Sequence, residues 1–354
     1  MKPFDLIIGA ALGVGLAACA SVETQDDLAS VADTAPAELV EDSGLDIVVH
    51  EGDFAEIQQF TTPGGVSVWL VSEPSIPILS VAMAWEGGEA ADPEGLEGLA
   101  DAVVYHMNEG AGDLDSLAFQ TRMEDLNMSF GCSASSDWTS CAASMLTDNA
   151  DEAMSLVAQA FEAPRFDAGP FARFQREREV SLNTRETNAR YLAGRAEAQA
   201  IYPDHPYARE TSAESIAALT PELAKAHMRK LMVKDSLIVT AVGAITPEEL
   251  APMLDAIAAS LPESNDLPET PEITFTVDGA FEPVLIDLPQ PQSLVRFLAP
   301  GLKREDPDFF TAYVVNYTYG GGGFGSRLME SLRVQKGLTY GVYTWLSFDD
   351  TYQN

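Results

Sequence analysis

Few residues in this chain are of a type and spacing that could do chemistry, and they fall in two groups. In the C-terminal part Arg333 and Tyr340 stand seven positions apart. A fixed guanidinium and a phenolic hydroxyl both donate hydrogen bonds, and both suit a developing oxyanion. Taken alone, the same two residues also fit a surface arginine on a helix and a half-buried strand tyrosine. Just upstream lies a glycine run, Gly320, Gly321, Gly322, Gly323 and Gly325, followed by Ser326-Arg327. It lacks the lysine that a phosphate-binding loop requires. Taken alone it reads as a flexible connection between helices. In the N-terminal part His106 and Glu109 are three apart on a predicted helix and share a face. The chain holds only four histidines, His50, His106, His205 and His227, and they are not clustered. His106 is therefore expected to be a helix-end residue near the domain surface, not a metal ligand. There is no Gly-x-Ser-x-Gly elbow for a serine hydrolase, and no Cys-x-x-Cys pair for a thiolate metal site or redox motif.

Those groups need elements to position them, and the patterning supplies an α+β set. Two predicted strands, 57–62 and 66–71, flank a Pro63-Gly64-Gly65 turn. A strand follows over 79–85. Leu96, Leu99, Val103 and Met107 have helical spacing, and a second helix is expected over 114–126. Strands 128–135 and 138–146 surround Ser136-Asp137. If they form a two-residue hairpin, Cys132 lies directly opposite Cys141 at a non-hydrogen-bonded pair. Such pairs approach to about 4.5 Å between Cα atoms, within disulfide reach. Helices fill 150–200, Pro221 opens another at its first position, and a strand over 236–242 precedes a helix over 247–259.

The termini and the charge set the context. Lys2 precedes an apolar run over 6–18 that ends in Leu16-Ala17-Ala18-Cys19. The run is too short to span a bilayer comfortably and has the length of a signal-peptide core. Leu-Ala-Ala-Cys resembles the bacterial lipobox, so residues 1–19 are expected to be a lipoprotein signal with Cys19 lipidated. Residues 20–50, rich in Ala, Asp, Glu, Ser and Thr without aromatics, read as an acidic disordered tether. The chain has 55 acidic and 20 basic residues, a net charge of −35. That excess argues against nucleic acid or anionic lipid as partners and suits an exported protein attached to a membrane through acyl chains alone, on its periplasmic face.

An acidic, Pro-rich segment, 263–272, divides a first domain, 51–262, from a second, 273–354. Across it the order of elements restarts: a strand over 293–299, Asp306-Pro307, a helix, the glycine turn, a helix and a strand over 340–348. Asp92-Pro93 holds the matching place in the first half, 214 residues before Asp306. At that offset the second copy is expected to lack about its last 120 residues, so that the chain could be a fragment or a truncated form.

Three strings carry a family resemblance: Gly98-Leu99-Ala100 opening a helix, the glycine run with Ser326-Arg327-Leu328, and Leu332-Arg333 followed by Gly337-Leu338-Thr339-Tyr340-Gly341. Together with the element order over about 55–350 they resemble the insulinase/pitrilysin zinc metallopeptidases, which include mitochondrial processing peptidase. The resemblance implies two homologous domains of mixed or antiparallel sheet with helices packed on one face. It also implies an H-x-x-E-H motif after Gly-Leu-Ala, where two histidines hold zinc and a glutamate serves as base. Here those positions read Asp101, Val104 and Tyr105, and the distant glutamate ligand falls near Asn183-Thr184, with Glu179 and Glu186 close by. By the same resemblance the glycine run would permit close approach by the backbone of a substrate chain, and Arg333 and Tyr340 would contact substrate and support an oxyanion. The expectation is a non-catalytic subunit that binds no metal or cofactor itself and completes the peptide-degrading chamber of a zinc-bearing homologue. The alternatives are a peptide-binding or scaffold lipoprotein without a protease partner and, last, an active zinc peptidase with an atypical site.

Overall fold

A computed structural model describes residues 38–39, 44–50, 52, 55–273 and 283–346. The expected signal segment and Cys19 lie outside these residues, as does most of the expected tether. The chain divides into two compact units, Met1–Arg178 with Thr211–Leu267, and Glu179–Glu210 with Pro268–Asn354.

The first unit is built on one mixed sheet. Its strands are β1 Glu38–Leu39, β2 Val48–His50, β3 Ile57–Thr61, β4 Ser67–Ser72, β5 Ile78–Glu86, β6 Ser129–Ala134, β7 Trp138–Leu146 and β8 Ile238–Gly243. They lie in the order β1-β2-β3-β4-β8-β5-β7-β6. β4 and β8 run parallel and the other neighbours antiparallel. The tether assignment fails at its C-terminal end, because Val48, Val49 and His50 pair with β3 and Ile47 is buried. An apolar stretch next to an open strand edge gains a hydrogen-bonded ladder, and the low-complexity composition around it does not prevent this.

Only one face of the sheet is buried. Leu79, Val81, Met83 and Trp85 of β5 point into the core, as do Cys141, Ala143 and Met145 of β7. The alternate residues Ser80, Ala82, Ser140, Ala142 and Ser144 lie on the other face, with hydroxyl pairs Ser80–Ser144 at 3.0 Å and Ser133–Ser140 at 3.1 Å. This is the period-2 pattern of an antiparallel sheet covered on one side. The covering helices are α1 Leu99–His106, α2 Ser116–Asp125, α3 Ala150–Glu162, α4 Ala168–Arg185, α6 Ala213–Ala218, α7 Pro221–Leu231 and α8 Pro247–Ala258. Their starts follow local chemistry. Asp115 caps α2 by accepting from the Ala118 amide at 2.9 Å, and Thr246 and Glu249 form a reciprocal capping box at α8.

In the second unit α5 Ala189–Ile201 lies with the C-terminal segment. Arg296 grips Glu197 through Nε at 2.6 Å and Nη2 at 2.9 Å, and His205 Nε2 lies 2.8 Å from the Pro271 carbonyl. The sequence boundary placed 179–210 in the first domain; these long-range polar contacts group it with the second unit. There α9 Phe309–Asn316 continues into a π-helical turn, Tyr317–Gly321, and a second π-helical stretch covers Met329–Gln335. The expected strand 293–299 does not form, and no strand forms over the described part of 340–348. β5, the counterpart of 293–299, is held between β7 and β8. Among the described residues 293–299 has no such neighbours, and Leu294, Val295, Phe297 and Leu298 are exposed. An apolar run cannot make a strand without a ladder on at least one side.

Candidate functional site

The α1 helix is fixed from below. Asp92 is buried, and its carboxylate accepts from the backbone amides of Gly98 at 2.8 Å, Leu99 at 3.0 Å and Ala100 at 2.8 Å. It thereby satisfies N–H groups that have no partner within the helix and places negative charge at the positive end of the dipole. His227 Nε2 of α7 lies 3.2 Å from Asp92 Oδ1, off the line of a hydrogen bond.

One face of α1 then meets two arginines of α4. Arg178 grips Asp101 with two parallel bonds, Nη2 to Oδ1 at 2.8 Å and Nε to Oδ2. Arg173 donates from Nε to the Tyr105 hydroxyl at 3.1 Å and from Nη2 to Glu109 at 2.6 Å. The Arg178 guanidinium stacks on Phe174 at 5.1 Å and on Tyr105 at 5.8 Å. These hydrogen bonds raise both arginines above their already high pKa values, so both stay charged. Burial raises the Tyr105 phenol, which stays protonated. Val104 is buried and offers no donor atom.

His106 corrects an expectation. It ends α1 as predicted, but it is fully buried, not near the surface. Its ring is surrounded by Phe166, Phe171 and Phe174 at centroid distances of 5.4, 5.0 and 5.8 Å. Nδ1 lies 2.7 Å from the Ala102 carbonyl, while Nε2 has no partner. Burial pushes its pKa down, so the imidazole is neutral and Nδ1 is the donor. The spacing held the signal, since Leu99, Val103 and His106 follow the i, i+4, i+7 stripe of a buried face.

In the second unit the glycine run, Arg333 and Tyr340 come together. The Arg333 guanidinium lies 4.7 Å from the Phe324 ring centroid and 4.6 Å from that of Tyr340. Its Nη1 is buried without a hydrogen-bond partner. The run is glycine for two reasons. A Cβ on Gly320 would meet the Thr344 hydroxyl at 2.4 Å, and Gly323 sits at φ +64°, in the left-handed region. Elsewhere, Cys132 of β6 faces Cys141 of β7 and the two are joined by a disulfide with a Cα separation of 4.0 Å.

Comparison with known proteins gives this arrangement a context. Residues 67–213 match the family model described as Insulinase (Peptidase family M16), and 218–352 match the model described as Peptidase M16 inactive domain. The chain belongs to the insulinase peptidase family, with a degenerate site. It is 27% identical over 276 residues to a protein named Non-peptidase homolog YmxG from Helicobacter pylori, covering 77% of this chain and 63% of that one. The chain thus spans under two thirds of that relative's length. A solved structure of a peptidase M16 inactive domain from Pseudomonas fluorescens superposes with a TM-score of 0.70 at 25% identity, over 82% of this chain and 71% of that one. The periplasmic protease PqqL from Escherichia coli shares the fold, with a TM-score of 0.65 at 18% identity over 95% of this chain and 36% of its own.

The insulinase-family metal does not fit these residues. A zinc ligand set needs three lone-pair donors converging on one point. Asp101 is already engaged by Arg178, Val104 has no donor, and the Tyr105 hydroxyl faces Arg173. Two cations stand beside the motif positions, and a third would be repelled. Among the described residues no group of three or more His, Cys, Asp or Glu is arranged to hold a metal ion. Sequence reasoning identified the three substituted positions but missed Arg173, Arg178 and Phe324. The Arg178–Asp101 contact spans 77 residues, and no local pattern marks such a pair.

Proposed function

We propose that this chain is a non-catalytic subunit of an insulinase-type peptidase, one that completes the peptide chamber of a zinc-bearing homologue. The observation that carries the reading is the substitution of all three motif positions on α1, where arginines of α4 engage two of the residues that stand there, Asp101 and Tyr105. The retained Arg333 and Tyr340 supply donors for a bound peptide, while zinc and the general base come from the partner. In this reading the chain holds no metal or cofactor of its own. Relatives described as a non-peptidase homolog and as an inactive domain support it. The Leu16-Ala17-Ala18-Cys19 string supports export and attachment by a lipid at Cys19, on the periplasmic side of a bacterial membrane. No helix among the described residues is long and apolar enough to cross a membrane.

The test is purification from the native membrane followed by identification of bound proteins and metal analysis. A co-purifying homologue with an intact H-x-x-E-H, and zinc in proportion to that homologue alone, is the expected result. Stoichiometric zinc in this chain by itself refutes the reading. Recovery without any such homologue leaves a peptide-binding lipoprotein in its place. In a working complex Arg333→Ala should lower turnover about 100-fold, the usual scale for one oxyanion donor, while assembly persists.

A further inference from the structure

The Arg333 side chain poses a question that its family likeness does not answer. Its guanidinium lies between two aromatic rings, Phe324 at 4.7 Å and Tyr340 at 4.6 Å. Among the described residues it makes no ion pair, and Nη1 is out of water with no acceptor. An arginine left free would turn its donors to solvent. Here the two rings remove that option for Nη1. Phe324 and Tyr340 are themselves mostly exposed, at 73% and 82%, as are other aromatics of this unit such as Phe297 and Phe310; what sets these two apart is that both lie against one guanidinium. Gly323 and Gly325 flank Phe324, and the left-handed Gly323 sets the path on which that ring is carried.

We propose that Phe324 is a positioning residue for Arg333. With Tyr340 it forms an aromatic clamp that covers Nη1, fixes the plane of the guanidinium and leaves the other N–H groups of this half-buried side chain to meet a carbonyl or carboxylate oxygen of a bound peptide. Planar stacking suits this task because it restrains a guanidinium without consuming its N–H groups, which a carboxylate partner would occupy. The clamp is formed within this chain and needs no metal. It also gives the glycine run a purpose, since the run must fold back tightly on Thr344 at Gly320 and then turn out to deliver Phe324. The proposal rests on the reading of Arg333 as a peptide contact.

The experiment measures binding of fluorescein-labelled oxidised insulin B chain to the purified full chain by anisotropy, at low salt. Arg333→Ala should weaken binding by about 10-fold or more, the scale of a hydrogen bond to a charged group. Phe324→Leu should weaken it about 2- to 5-fold, the scale of an exposed cation–π contact. Phe324→Tyr, which keeps the ring, should restore affinity to within about twofold, a rescue that a merely structural role would not require. Each variant is checked by thermal melting, which the exposed position of Phe324 should leave unchanged. If the wild type fails to bind, or Arg333→Ala binds as tightly as wild type, the peptide-contact reading of Arg333 falls and the clamp with it. If Arg333→Ala weakens binding while Phe324→Leu does not, or if Phe324→Tyr is as weak as Phe324→Leu, the clamp alone is overturned.

Discussion

Breaking the contact between α1 and α4 offers a direct measure of what the Asp101–Arg178 pair contributes at the zinc-motif positions. Asp101 and Arg178 are 28% and 29% exposed at their side chains, intermediate between a surface pair and a buried one. Exposed pairs contribute about 0–1 kcal/mol, whereas removing one partner of a fully buried pair costs about 3–5 kcal/mol. The bidentate geometry and partial burial set the Asp101–Arg178 coupling at about 1–1.5 kcal/mol. Arg178 also stacks on Phe174 and Tyr105, which adds about 0.5–1 kcal/mol. Arg178→Ala should therefore destabilise the protein by about 2 kcal/mol and Asp101→Ala by about 1 kcal/mol, because only the arginine loses the ring contacts. Urea unfolding followed by tryptophan fluorescence is suited to the measurement, since Trp69, Trp85 and Trp138 of the four tryptophans lie in the first unit. A double-mutant cycle isolates the pair. A coupling energy within the additivity error of about 0.3–0.5 kcal/mol would show that the two side chains sit together without holding the helices together.

Three further outcomes are expected. Burial lowers the folded-state pKa of His106, so below about pH 6.5 the unfolded chain binds a proton that the native state excludes; stability present above that pH is lost as pH falls toward the folded value, by up to about 1.4 kcal/mol per pH unit. His106→Leu should flatten that part of the stability profile, and an unchanged slope would assign it to other groups. Replacing both Cys132 and Cys141 by serine should cost about 2–3 kcal/mol, given the short loop closed over a sequence separation of 9, and alkylation of both thiols in freshly isolated, unreduced protein would contradict the bond. Cys19→Ser should release the protein from the membrane fraction, and a variant as firmly bound as wild type would rule out the lipid anchor.

Much of the first unit was legible before any coordinates. Strands were assigned over 79–85 and 138–146, close to β5 and β7, and the Ser136-Asp137 turn placed Cys132 opposite Cys141. The spacing of Leu99, Val103 and Met107 marked the helix that carries the motif positions, and the loss of both histidines and the base was visible in Asp101, Val104 and Tyr105. All of these depend on neighbours within a few residues, or on a register set by one tight turn. The second unit was less legible for the same reason. The apolar character of 293–299 is a local property, while forming a strand depends on partners that local order does not supply. Which groups meet the residues at the zinc-motif positions was decided only by folding. Arg173 and Arg178 look like members of any solvated helix face until α4 is laid against α1, when one meets Tyr105 and Glu109 and the other Asp101. Phe324 likewise looks like a chance aromatic in a glycine run until the loop closes on Thr344 and brings it to Arg333. The sequence sets which groups can bond; which of them meet depends on helices and loops far apart along the chain.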